Sequence, residues 1–394
     1  MAGSRASGYD VAMDRLRRLG RGPIVAAAAV GALGFGLTAW LLFGSGLGSA
    51  PRPSPTVTAS ASPSPSPSPT PTPLPSPSPS AALGVLCPLT GLPVDDPALL
   101  ERTALGVQID NHPKARPARN LSNADMVVEV PVEGDTTRFS AIYLCRTTVG
   151  LTGPIRSARY YAIDLWQDLG VLTVGFGASP PTLQRFSAAG MPYLNGINGG
   201  WPWFKRAGSF RAPHNLYGDL EALRAALGGG GGIDRLAAKV GPLRPPIAFD
   251  PEVTVPGGRL VQAIEIRTNP SWRFGWRWDP AEGAWSRQDA GKEIVDEVTG
   301  NPVTAAHVLV QRVTQEVVYG DPDPGGNPRR LQHLVGHGKG TLYTQGRGID
   351  VLWSRPTASD GTRWTYADTG EPVILRPGVI WWEVIPIPAP LTES

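Results

Sequence analysis

ALGVQID at residues 104–110, DMVVEVPV at 125–132 and FSAIYL at 139–144 are apolar runs rich in β-branched and aromatic side chains. Turn formers bound each run, and that pattern predicts strands. VLTVGF at 171–176 predicts a fourth. Residues 158–168 (ARYYAIDLWQD) and 216–227 carry apolar residues at helical spacing and predict helices. Strands and helices in one stretch predict an α/β domain over residues 83–243. GGGGG at 228–232 and the proline-rich segment 242–251 mark its exit.

Beyond that exit the pattern changes. Short β-type runs at 263–267, 274–278, 307–312, 314–319, 340–343, 351–354 and 379–384 predict a smaller β-rich domain over residues 252–390. In Trp272-Arg-Phe-Gly-Trp-Arg-Trp278 aromatic and basic residues alternate, as on the two faces of a strand. The aromatic face fits core packing; it also fits stacking on sugars or bases.

Toward the N-terminus the chain leaves globular composition. Residues 24–43 (IVAAAAVGALGFGLTAWLLF) hold no charge, and twenty residues at 1.5 Å each span about 30 Å, the thickness of a bilayer core. Arg15, Arg17, Arg18 and Arg21 precede the run and only Arg52 follows closely. That asymmetry predicts a single span within residues 22–44, a cytoplasmic tail at 1–21 and everything later outside the cell membrane. A cleaved signal peptide is the alternative reading. Residues 45–82 form a Pro/Ser-rich stalk expected to be disordered and extended, since such a run cannot bury a core.

The chain of 394 residues carries a net charge of +3, and the first 82 residues hold +4 of it (six Arg against Asp10 and Asp14), leaving −1 for the rest. A near-neutral folded part argues against nucleic acid as a partner. The two cysteines, Cys87 and Cys145, lack the spacing of a metal site. In an oxidising compartment they are expected to form a disulfide, with two buried thiols as the alternative.

Five further segments carry a resemblance: Pro88-Leu-Thr-Gly91, Asn120-Leu-Ser-Asn-Ala-Asp125, Val132-Glu-Gly-Asp-Thr-Thr-Arg138-Phe139, Gly153-Pro-Ile-Arg156-Ser157-Ala-Arg159 and Arg211-Ala-Pro-His214-Asn215-Leu-Tyr217. With Thr299-Gly-Asn-Pro-Val-Thr304 and Pro377-Gly378 ahead of Trp381, the chain resembles the YerB-like lipoprotein family of bacteria, built of the N- and C-terminal parts of domain of unknown function 3048. The resemblance implies two domains on the outer side of a membrane. Members resembling lipoproteins carry an acylated Cys after a short signal. Here Cys87 lies far past the apolar run, so a transmembrane anchor stands in for the lipid.

The polar residues of those segments form the candidate ligand-binding set: Asp110, Glu133, Arg138, Arg156, Ser157, Arg159, Arg211, His214 and Asn215. Guanidinium forks suit phosphate or carboxylate. An anion pocket is one reading, with Arg156, Arg159 and Arg211 facing a shared cavity; a structural Arg–carboxylate network is the other. No catalytic set, metal or cofactor is implied. Phosphate loops and dinucleotide fingerprints are missing, and Asp321-Pro-Asp-Pro-Gly-Gly-Asn327 reads as a turn lacking the calcium-loop pattern. Two functional expectations follow. One is a non-catalytic envelope module binding an anionic wall or lipid-linked ligand. The other is an envelope enzyme for phosphorylated or polyprenyl-linked glycan precursors. For the second, the order of a strand ending in Asp110, the strand after Asp125 and a strand leading to Arg156 is similar to the LytR-CpsA-Psr phosphotransferases.

Overall fold

A computed structural model describes residues 84–198, 202–229, 233–270 and 272–394. The expected cytoplasmic tail, span and stalk all lie outside these residues. Among the described residues no helix is long and apolar enough to cross a membrane.

The molecule is mostly β, with few helices. Its main sheet has eleven strands. In chain order they are β1 (Leu105–Asp110), β2 (Met126–Pro131), β3 (Thr137–Tyr143), β4 (Leu172–Gly175), β5 (Tyr193–Asn195), β6 (Arg259–Leu260), β7 (His307–Val313), β8 (Gly336–Thr344), β9 (Arg347–Arg355), β10 (Arg363–Tyr366) and β11 (Ile380–Pro386). They run in the order β6-β9-β8-β7-β11-β2-β3-β1-β4-β5, with β10 also on β9. The first half of the chain supplies one side of the sheet and the second half the other. They meet at β11, which lies parallel to both β2 and β7. Every residue of IWWEVIP in β11 is buried, as a parallel strand covered on both faces requires.

Alternation along the strands divides the core into two faces. Met126, Val128, Ile380 and Trp382 point to one, which is covered by helix α1 (Tyr161–Leu169), helix α2 (Pro180–Ala188) and the segment holding Cys87 and Leu89. Val127, Ala141 and Trp381 point to the other. That face is covered by helix α3 (Leu220–Gly228) and by a second, six-stranded sheet that brings Ile264, Phe274, Trp276 and Trp285. In the strand Trp272–Asp279, Phe274 and Trp276 are buried while Arg273 and Arg277 are exposed. Trp276 meets Trp381 edge-on, with ring centroids 5.0 Å apart. The aromatic face of that strand is core.

Two local readings change. The 216–227 stretch, expected as one helix, is a strand, Leu216–Asp219, followed by α3. Asp219 stops the strand because its carboxylate accepts from the Ala222 amide at 3.0 Å and caps the helix. Helix α1 begins at Tyr161, after Arg156 and Arg159. Both arginines therefore sit on non-helical chain ahead of it and reach different carboxylates.

Candidate functional site

The chain brings three segments to the C-terminal end of β1. Asp110 ends the strand, opposite Arg138 of β3 in the antiparallel register. Residues 154–156 lie along its free side: the Asp110 amide donates to Pro154 O at 2.8 Å and the Arg156 amide to Gln108 O at 2.8 Å. The Ile155 amide donates to Leu216 O, which draws in the turn carrying Arg211, His214 and Asn215.

These residues separate into an inner and an outer group. In the inner group, Arg159 grips both oxygens of Glu133, with Nε to Oε2 at 2.8 Å. Arg329, from the second half of the chain, donates to Glu133 Oε1 at 2.9 Å and lies 3.0 Å from Asp321. Asp321 also accepts from the Tyr160 and Ser179 hydroxyls. All four charged groups are buried. Burial is the largest single influence and works against the Glu133 charge, but the bond and charge of Arg159 and the charge of Arg138 together outweigh it and lower the carboxyl from 4.5 to about 2. The Ser157 hydroxyl donates to Phe176 O at 2.9 Å, and its carbonyl accepts from Arg138 at 2.7 Å and Arg159 at 3.1 Å. Arg159, Glu133 and Ser157 thus belong to a sealed network.

The outer group lies on a rim. Asp110 is buried, and its Oδ2 lies 2.8 Å from His214 Nδ1 and 3.3 Å from Arg156 Nε. Its other oxygen accepts from the His112 amide at 3.1 Å. Burial alone would raise the Asp110 carboxyl, yet Arg138, Arg156 and the His214 bond together hold it below its ordinary value. The His214 ring stacks on His112, centroids 4.6 Å apart. His112 Nδ1 accepts from the Lys114 amide. Burial and the neighbouring His214 lower the His112 pKa. Arg138 is buried; burial first, then Arg159 beside it, lower its pKa to about 10, and its Nε has no hydrogen-bond partner. Arg211 is exposed. Asn215 accepts from Arg206 at 2.8 Å.

So Asp110, Arg156 and His214 come together, Arg138 backs them and Arg211 stands on the same turn as His214. Arg159 does not share their space. A cavity of about 270 Å³ opens on the other side of Asp110, lined by Asn111, Leu121, Phe139, Ile294 and Val295 among others. The sequence reading passed over His112, though its place two residues after Asp110 was a signal. It placed Asp321 only in a turn and passed over Arg329, and the partners of both lie far off in the chain. The turn expected over residues 321–327 forms, with Asp323 accepting from the Gly325 and Asn327 amides at 2.8 Å. Cys87 and Cys145 form a disulfide, Cα atoms 5.8 Å apart. Asp125 beside them is taken up by the Leu144 and Cys145 amides and Arg146.

Comparison with known proteins gives one answer throughout. The N-terminal domain of DUF3048, a protein of unknown function, matches residues 89–231, and its C-terminal domain matches residues 264–382. The chain is 28% identical over 301 residues to the "Putative lipoprotein YerB" of Bacillus subtilis (strain 168), covering 76% of this chain and 86% of the relative. The crystal structure of the Bacillus subtilis YerB protein superposes with a TM-score of 0.65 at 26% identity, over 78% of this chain and 99% of that one.

Proposed function

We infer the role of this chain from its membership of the DUF3048 family, to which it belongs through both its N-terminal and its C-terminal domain. The reading is a membrane-anchored module outside the cytoplasm that takes an anionic group of a cell-envelope ligand on the rim at Arg156, His214 and Arg211. The observation that carries it is a surplus of cations. Among the described residues Asp110 is the one carboxylate on the rim, and it faces Arg138 and Arg156 together. Glu133 is spent on Arg159 and Arg329. Residues 203–218 add Lys205, Arg206 and Arg211 and contain no acidic residue. An anion is what such a surface lacks.

The anchor is read as the uncharged run within residues 22–44, with the stalk outside. The lipoprotein name of the relative supports membrane association. Thiol labelling of Ser66→Cys in intact cells tests the sidedness; labelling only after lysis would refute it.

Calorimetric titration of the full chain in detergent with inorganic pyrophosphate and a phosphate-bearing wall fragment tests the rim. Arg156→Gln should weaken binding about tenfold or more, the scale of a charged hydrogen bond, with the chain still folded because Arg138 and His214 continue to face Asp110. No measurable anion affinity in the wild type, or equal affinity in the variant, would overturn the reading. One contact favours a second reading, an enzyme for phosphorylated or polyprenyl-linked glycan precursors. Asp110 fixes His214 through Nδ1, and among the described residues Nε2 has no partner, as a general base requires. Turnover of such a precursor that is abolished in His214→Gln would select it, while unchanged turnover in that variant would exclude it.

A further inference from the structure

Two imidazoles lie face to face on the rim. His112 follows the end of β1 and His214 sits on the turn after Arg211, yet their rings stack with centroids 4.6 Å apart and planes 23° apart. Asp110 holds both residues. One of its oxygens accepts from the His112 amide at 3.1 Å, and the other lies 2.8 Å from His214 Nδ1. Both histidines are partly exposed, and among the described residues neither Nε2 has a partner.

The two rings differ in where a proton can go. His112 Nδ1 accepts from the Lys114 amide at 3.1 Å. That nitrogen therefore carries no proton, and the ring is neutral while the bond lasts. Burial first, then His214, with Lys114 and Arg116, lower the His112 pKa, against Asp110. His214 is the reverse case. Its Nδ1 faces a carboxylate and donates to it, so a second proton goes to the open Nε2.

Charge decides when that second proton arrives. Around His214 stand Asp110, Arg156 at 3.3 Å from the same carboxylate oxygen, and Arg138 opposite Asp110 in the sheet register. Arg211 is on its own turn, Arg206 bonds to Asn215 beside it, and Lys114 and Arg116 act through His112. Among the described residues Asp110 is the one anion in this set. The guanidiniums oppose another cation on the empty rim, and a bound anion favours it. Each of the two events then promotes the other by the same factor. Two charged imidazoles in one stack repel, so the pair admits one proton.

We propose that anion binding on this rim is coupled to the uptake of one proton, received by His214, with the neutral His112 ring as a positioning residue that holds His214 in place. The proposal rests on the anion reading of the same rim. The ligand is held more tightly as pH falls and is released as pH rises.

The test is calorimetric titration of the full chain in detergent with sulfate, whose charge stays constant across histidine's range of about pH 5 to 8. Runs in two buffers of different ionisation enthalpy count the protons taken up. The wild type should take up a fraction of one proton at about pH 7, and its affinity should rise about tenfold from pH 8 to pH 5, an ordinary size for coupling. His214→Gln should bind more weakly, with no uptake and a flat pH profile. His112→Phe keeps the stack and should keep the uptake. His112→Ala removes the ring and should weaken binding about two- to tenfold, the scale of one aromatic pair. The wild-type proton count decides the matter if a variant fails to fold. Sulfate binding without proton uptake, uptake of more than one proton, uptake that persists in His214→Gln or vanishes in His112→Phe, or wild-type affinity in His112→Ala would overturn the proposal and leave the anion site standing. No sulfate binding at either pH would overturn both.

Discussion

Three buried carboxylates on or beside the main sheet are treated in three ways by their neighbours. Glu133 has two guanidiniums, so its charge is held firmly. Its folded pKa of about 2 lies below the ordinary 4.5. The resulting stability is present above 4.5 and lost as pH falls through about 2; the shift corresponds to roughly 3 kcal/mol. Glu133→Gln should therefore cost about 3–5 kcal/mol at pH 7, because Arg159 and Arg329 stay buried without their anion. It should also remove that part of the acid limb in urea unfolding measured across pH. Glu383 is the opposite case. Burial, and then the Glu129 carboxylate beside it, raise its pKa well above 4.5 despite Arg287. The folded state keeps a proton there that the unfolded chain loses, so stability falls as pH rises above 4.5. Glu383→Gln keeps the shape of the protonated acid and should change stability at neutral pH by less than about 1 kcal/mol. Glu129, which grips Arg287 with both oxygens and accepts from Trp381, should not tolerate the same change. Equal losses in the two variants would show that the proton is not held on Glu383. Asp110 lies between these cases: Arg138 and Arg156 hold its pKa below the ordinary value, and of the two Arg156 is shared with open solvent.

Among the elements, the disulfide and β11 do the most to join distant segments. The bridge closes a separation of 58 residues, which in the chain-entropy model stabilises the fold by about 4 kcal/mol. The Cys87→Ser, Cys145→Ser double variant should lose about 2–4 kcal/mol in urea unfolding; alkylation that gives equal masses before and after reduction would show there is no bridge to lose. Strands were legible wherever an apolar run was bounded by turn formers. β1, β2, β3 and β4 all lie within a residue or two of their expected bounds. The α/β reading of the first half counted helices at 158–168 and 216–227 from spacing alone, and the second lost its first turn to a strand that Asp219 ends. Pairing was not legible. Periodicity says which residues face a core but not which strand lies beside them, and β11 joins β2 through contacts such as Trp381 to Glu129, 252 positions apart. The site behaved likewise. Residue types predicted anion chemistry, but whether an arginine would be sealed or open depended on Arg329 and Asp321, which no local pattern connects to Glu133.

At the scale of the molecule, the two family domains share one hydrophobic framework. β11 fills the space between β2 and β7, so removing the second half would leave β2 with one edge bare. Charges tie the halves as well: Arg287 to Glu129, Arg329 to Glu133 and Arg116 to Asp289. A fragment ending near residue 250 would strip Glu129 of Arg287 and Trp381 and Glu133 of Arg329, and would open to water the apolar faces that the second half covers. It would also expose Phe139, whose ring now packs on Trp381 with centroids 5.1 Å apart. Those losses together exceed a stability of about 5–15 kcal/mol, the range of ordinary domains. Residues 84–250 expressed alone should therefore show no cooperative transition by circular dichroism. The full chain should unfold in a single step. Eight of the twelve tryptophans lie beyond residue 270, so intrinsic fluorescence reports mainly on the second half. A dye on an engineered cysteine at the exposed position Lys205 reports on the first. The two urea curves should coincide in midpoint and slope, since neither half retains its sheet without the other. Midpoints separated beyond error would mean that the first half closes its own core, and that β11 adds to a domain already complete.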